Sequence, residues 1–177
     1  MLGCAVRDRS RGGFKICQQV CVAVLCCLGL FGQSAIAEET LPGPLLTLSF
    51  AQQEVALEAE QLLALPQQTV ATHTAWTDDV KVFQGPLMRD LLALLDGLPE
   101  QGTARLIAWN DYEIEVPLSD FKQWDVLAAH TMDGQRLTLA DRGPLWVVYP
   151  RDQDPQLRDS RYDHRWAWML RAISVAP

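Results

Sequence analysis

The chain has 177 residues, with 15 Lys and Arg against 22 Asp and Glu, a formal net charge of -7. That length allows one compact domain, and 49% apolar with 21% charged residues is a globular composition rather than a disordered one. Sequence-independent binding of DNA or RNA needs surplus Lys and Arg to displace phosphate counterions, so this balance argues against it, and against anionic membrane surfaces on the same ground.

The N-terminus reads as a targeting segment. Arg7, Arg9, Arg11 and Lys15 give a basic start, Ile16 to Phe31 is an apolar run, and Ala35-Ile36-Ala37 is a small-x-small cleavage site before Glu38. That order describes a secretory signal peptide over 1–37. The alternative is a membrane anchor, but the run falls short of the roughly 20 residues that span a bilayer. A lipoprotein anchor is disfavoured because the residues before Cys26 and Cys27 are not small. The long polar lead-in leaves the true start codon open. The mature segment, 38–177, then carries 11 basic and 21 acidic residues, a net charge of -10, and is expected to be periplasmic or secreted as a single domain without stable membrane insertion. All five cysteines (Cys4, Cys17, Cys21, Cys26, Cys27) fall in the leader. The mature domain therefore has no disulfide, thiolate metal ligand or cysteine nucleophile, although an exported protein can keep disulfides.

In chain order, Leu45 to Phe50 alternates and predicts a first strand, and Val55-Ala56-Leu57 a partner. A short helix follows from about Glu58 to Leu65, stopped by Pro66. Thr69 to Trp76, rich in Thr and Val, suits a strand, and Val80 to Phe83 another. Pro86 is expected to open the main helix, with Leu87, Met88, Leu91, Leu92, Leu94 and Leu95 as its apolar stripe and Gly97 as its stop. Ala104 to Trp109 and Tyr112 to Val116 flank Asn110-Asp111, a hairpin turn. Ser119 is placed to cap one helical turn through Trp124. Val126 to Met132 and Arg136 to Leu139 flank Asp133-Gly134, a second hairpin. Leu145 to Tyr149 is a short apolar strand, Arg151 to Arg165 a charged loop, and Trp166 to Val175 a last strand. The predicted fold class is α+β, mixed and strand-rich, with one main helix.

Two segments carry a resemblance. The first is Thr72-His73-Thr74-Ala75-Trp76 with Phe83-Gln84-Gly85-Pro86-Leu87 and Leu91-Leu92. The second is Met132-Asp133-Gly134, Arg142-Gly143-Pro144-Leu145, Val147-Val148-Tyr149-Pro150 and Trp168-Met169-Leu170-Arg171-Ala172-Ile173. In this order they resemble the sulfite oxidase-like, molybdopterin-binding oxidoreductase domains, covering most of Leu63 to Val175. The resemblance implies a sulfite oxidase-type fold. It also implies a molybdenum-binding cysteine at the position held here by Thr72, whose hydroxyl is a poor ligand for a soft, thiolate-selected site. The family's pterin-phosphate loop is long, glycine-containing and basic; here Asp152 to Asp163 is short and holds four aspartates, and the lysine before the closing Trp is Ala167. The metal chemistry is therefore expected to be lost from a fold that is kept.

Other chemistries lack their residues. His73, His130 and His164 each stand alone rather than at zinc-ligand spacing. No nucleophile elbow surrounds Ser49, Ser119, Ser160 or Ser174, and no Gly-rich phosphate loop exists. Asp111, Glu113 and Glu115 share one strand face, expected to be solvated. All six tryptophans lie in the mature segment. Trp109, Trp146 and Trp168 are expected in the core, whereas Trp76 and Trp166 sit where a ligand cleft would use them. The candidate cleft is the vestige of the cofactor site, lined by Thr72, His73, Trp76, Asn110, Asp111, Tyr112, His130, Tyr149 and Arg151. The reading that follows is an exported module binding a small ligand or a periplasmic protein, with no catalytic residue and neither metal nor cofactor. The alternative is a molybdopterin-dependent oxidoreductase that retains its cofactor without a cysteine ligand. N-terminal sequencing of the exported protein should begin at Glu38; an intact leader on a membrane-bound protein contradicts the cleavage.

Overall fold

The structure, a computed structural model, describes residues 43–177. The expected leader, its expected cleavage site and the five cysteines lie outside the described residues. The first hairpin joins β1 (Leu46–Phe50) to β2 (Gln53–Leu57) through Ala51, which takes a positive φ of 52°. Helix α1 (Ala59–Ala64) starts where the Gln61 side chain accepts the Glu58 N–H at 2.8 Å, and ends before Pro66. Next come β3 (Gln67–Thr72) and β4 (Lys81–Pro86), paired antiparallel. The strand predicted to reach Trp76 stops at Thr72, so His73 and Trp76 stand on the connection to β4.

Pro86 closes β4 instead of opening a long helix. Helix α2 spans only Met88–Leu92, seated by the Met88 N–H on the Val126 carbonyl at 2.8 Å. Leu91, Leu92 and Leu95 are buried, but beyond α2 the chain bends through short-range turns and leaves Leu94 38% exposed. The Asn110-Asp111 hairpin joins β5 (Thr103–Ala108) and β6 (Glu113–Pro117). Helix α3 (Leu118–Gln123) begins after Pro117, which places Ser119 inside the first turn and not at the cap. No helix among the described residues is long and apolar enough to cross a membrane.

The predicted strand Val126 to Met132 divides at His130. Its first part, β7 (Leu127–Ala129), pairs with β10 (Trp146–Val148). Its second part, β8 (Thr131–Met132), pairs with β4 and, across the Asp133-Gly134 turn, with β9 (Gln135–Arg136). The His130 N–H bonds the Gln84 carbonyl at 2.9 Å at this crossing. Gly85 is required here: a Cβ on it would stand 2.1 Å from the Ala128 carbonyl oxygen, so only a glycine lets β4 run this close to β7.

The last strand, β11 (Leu170–Ala176), pairs parallel with β1 and antiparallel with β5, giving a sheet in the order β2-β1-β11-β5-β6. The second sheet runs β3-β4-β8-β9. The charged loop coils into two 3-10 segments, Pro155–Arg158 and Ser160–Arg165. Mixed sheets with few short helices make this an α+β fold. Its core joins Leu46, Leu48, Leu106 and Ile173 of the larger sheet to Phe83, Leu91, Leu127, Trp146 and Val147.

Leu91→Ala should cost about 2–5 kcal/mol, because its side chain is fully buried. Leu94→Ala should cost less than about 1 kcal/mol. Urea unfolding of the two variants checks both; equal losses would contradict the difference in burial.

Candidate functional site

The site grows out of one side chain. Trp146, at the start of β10, is fully buried and meets Phe83 of β4 edge to face, with ring centres 5.2 Å apart. Trp76, Trp166 and Trp168 stand around it, each 6.3 Å from its ring centre. Trp76 in turn meets Trp168 at 5.2 Å and 86°, and Trp166 at 5.9 Å and 62°. Such tilted and edge-on contacts suit the ring quadrupoles. The Arg142 guanidinium lies 4.9 Å from the Trp168 ring centre and 5.2 Å from that of Trp146. The Nε1 donors of Trp109, Trp146, Trp166 and Trp168 are buried without a hydrogen-bond partner, so these indoles are held by packing.

Over this cluster opens a cleft of about 270 Å³, lined by Trp76, Asn110, Tyr112, Asp163, His164, Trp166 and Trp168. One wall is the hairpin tip. Asp111 takes the left-handed conformation the turn requires (φ 61°), and the Asn110 side-chain oxygen accepts the Tyr112 N–H at 3.2 Å. The opposite wall is the 3-10 segment Ser160–Arg165, and the Tyr112 hydroxyl spans the two by donating to the His164 carbonyl at 3.2 Å.

Polar contacts fix that segment. Arg151 donates to Asp163 at 2.7 Å and to the Arg158 carbonyl at 3.1 Å. Arg165 donates to Asp120 at 2.6 Å, and the Tyr149 hydroxyl donates to the same carboxylate oxygen at 2.9 Å. Asp120 is 4% exposed, so each partner offsets the desolvation of its charge. Burial, and then the Asp120 charge, push the Tyr149 hydroxyl well above its ordinary pKa.

Thr72 lies at the end of β3, fully buried. Its hydroxyl donates to the His73 carbonyl at 3.2 Å and accepts the Asp152 N–H at 3.1 Å. His73 is clamped to the same aspartate, its N–H and Nδ1 each 2.8 Å from Asp152 Oδ2. Burial opposes ionisation of Asp152, but the two His73 hydrogen bonds outweigh it and hold the carboxyl below its usual 3.8. The donor set at this position does not suit molybdenum. A buried hydroxyl already bonded in both directions is the only ligand Thr72 offers, residues 43–177 contain no cysteine, and the described residues hold no group of three metal-ligating side chains.

The predicted site residues thus separate into groups. Trp76, Asn110 and Tyr112 share the cleft, and Arg151 supports its floor through Asp163. Thr72 and His73 form the Asp152 clamp. The other three lie away from it. Asp111 turns outward to Arg171 at 3.0 Å, His130 bonds Gln67 at 3.0 Å, and Tyr149 is fully buried on Asp120. Burial, with Arg136 adding to it, lowers the His130 pKa. Trp168, expected in the core, lines the cleft, and His164 and Asp163 join it from the charged loop. The Trp166-Ala167-Trp168 spacing was the available signal, since residues two apart in an extended segment turn to one side.

No family model matches the chain, and no curated protein does either. Among solved structures, the fold is similar to that of the sulfane dehydrogenase SoxCD from Paracoccus pantotrophus, with a TM-score of 0.56 at 16% identity. The match covers 73% of this chain and 37% of that one. The fold is of the sulfite oxidase type. At this identity the likeness concerns architecture alone.

Asp152→Ala should destabilise the domain at neutral pH by removing the clamp on His73. A carboxyl whose folded pKa is depressed contributes stability above its unfolded value, and that contribution disappears as pH falls through the folded value. The gap between wild type and variant should therefore be full above the pKa of a free aspartate, about 4, and shrink in urea melts as pH falls below it toward the lower folded value. A gap unchanged to the acid limit of folding contradicts the clamp.

Proposed function

We propose that this chain is an exported domain of sulfite oxidase-type fold that carries no molybdenum and works as a binding module, with the tryptophan cleft as its site. The observation that carries the reading is Thr72, which stands at the position of the resembled family's metal-ligand cysteine. Its hydroxyl is consumed by His73 and Asp152 and faces no open space. The charged loop supports the same conclusion. Arg151, Arg161 and Arg165 are each paired with an aspartate, so three of the loop's four arginines, which a pterin phosphate would need, are already engaged. What remains concave and accessible is an aromatic cleft with a few polar groups, the usual form of a small-molecule or peptide site.

The second reading is an oxidoreductase holding molybdopterin without a cysteine ligand. The fold likeness to a sulfane dehydrogenase favours it, but fold alone assigns no chemistry. Elemental analysis of the protein purified from a molybdenum-replete host separates the two. No stoichiometric molybdenum and no sulfite oxidation are expected, and Thr72→Cys should not restore either, because the arginine pairings remain. Stoichiometric metal in the wild-type protein overturns the module reading. Metal in Thr72→Cys alone would show that the lost thiolate was the sole defect.

A further inference from the structure

The cleft has a chemical preference that can be read from its walls. Three indole rings and one phenol ring enclose it, and aromatic faces are the negative ends of their quadrupoles. Among the residues lining it there is one carboxylate, Asp163, and no Lys or Arg. The same tryptophan cluster already holds a cation of the chain: the Arg142 guanidinium packs on Trp168 and Trp146, its Nε buried without a hydrogen-bond partner. Residues 43–177 carry 19 Asp and Glu against 11 Lys and Arg, a net charge of -8, so the surrounding field also favours a cation.

The hydrogen-bond inventory narrows the class. Asp163 Oδ1 is taken by Arg151, Asn110 Oδ1 by the Tyr112 N–H, and the Tyr112 hydroxyl donates to the His164 carbonyl. A primary ammonium or a guanidinium entering here would give up water for few free acceptors and leave N–H donors unsatisfied. A fully methylated ammonium has no donor to satisfy and binds through its diffuse charge against aromatic faces. The volume, about 270 Å³, equals the liquid share of roughly nine water molecules, ample for such a headgroup. An anion is disfavoured, because the cations beside the cleft are engaged: Arg142 packs on Trp168 and Trp146, and Arg151 is held by Asp163 and the Arg158 carbonyl.

We propose that the Trp76–Tyr112–Trp166–Trp168 cleft binds a small organic cation of the quaternary ammonium class, held against its aromatic faces. This rests on the reading of the cleft as a binding site and gives its ligand a charge and a shape. The test is a tryptophan-fluorescence titration of the purified exported protein with three isosteric probes: choline, neutral 3,3-dimethylbutan-1-ol and anionic 3,3-dimethylbutanoate. Choline should bind about tenfold more tightly than the alcohol, and the carboxylate more weakly still. Tyr112→Ala, at an exposed position, should weaken choline several-fold and the alcohol less; circular dichroism melts confirm that the variant folds. Equal affinity for choline and the alcohol, or preference for the carboxylate, overturns the cation inference while keeping the cleft as a binding site. No response to any of the three overturns both.

Discussion

The placement of Trp146 is the constraint on which the rest depends. Its ring fills the space where β10, β4 and the approach to β11 converge, and it fits because its neighbours there are small: it pairs with Ala129, and Gly85 crosses at Ala128. Around that ring the other indoles have few arrangements left, since each must meet it tilted or edge-on. The floor of the cleft is therefore the outer surface of the core, and its walls, the hairpin tip and the Ser160–Arg165 segment, are tied together by the Tyr112–His164 hydrogen bond.

Charge is handled by the same economy of place. In the acidic loop that follows β10, Arg151 and Arg161 turn back onto the loop's own aspartates and Arg165 onto Asp120, so much of its ionic charge is paired within the fold. At the end of β3 the Thr72 hydroxyl, His73 and Asp152 are likewise engaged with one another. These contacts are local, and none asks for a different backbone.

Much of the fold was legible because it depends on short-range signals. Asn110-Asp111 and Asp133-Gly134 announce their hairpins, and Pro66 marks a boundary where the missing N–H requires it. The division of Val126 to Met132 at His130 was not legible, since a run suited to a strand does not say which sheet each half joins. The Pro86 helix misled for a related reason: a leucine-rich stripe has helical period, yet Gly85 and Pro86 belong to β4, and only two turns' worth of stripe reaches the core. At the site, Trp76, Asn110 and Tyr112 were found through resemblance and turn chemistry. His164 and Asp163 were hidden in a loop where charges of both signs alternate, and only the Arg151 and Tyr112 contacts show which of them face inward.

The position of β11 has a consequence for how the chain is made. The strand that sits at the middle of the larger sheet, between β1 and β5, is Leu170–Ala176, the last element in sequence order. During synthesis, β1 and β5 must wait with open backbone edges until more than a hundred later residues, or some sixty in the case of β5, have emerged. Strand edges left in that state are templates for other chains. A protein built this way has reason to remain unfolded in the keeping of chaperones until its final strand arrives, and then to close its sheet in one late, non-local step.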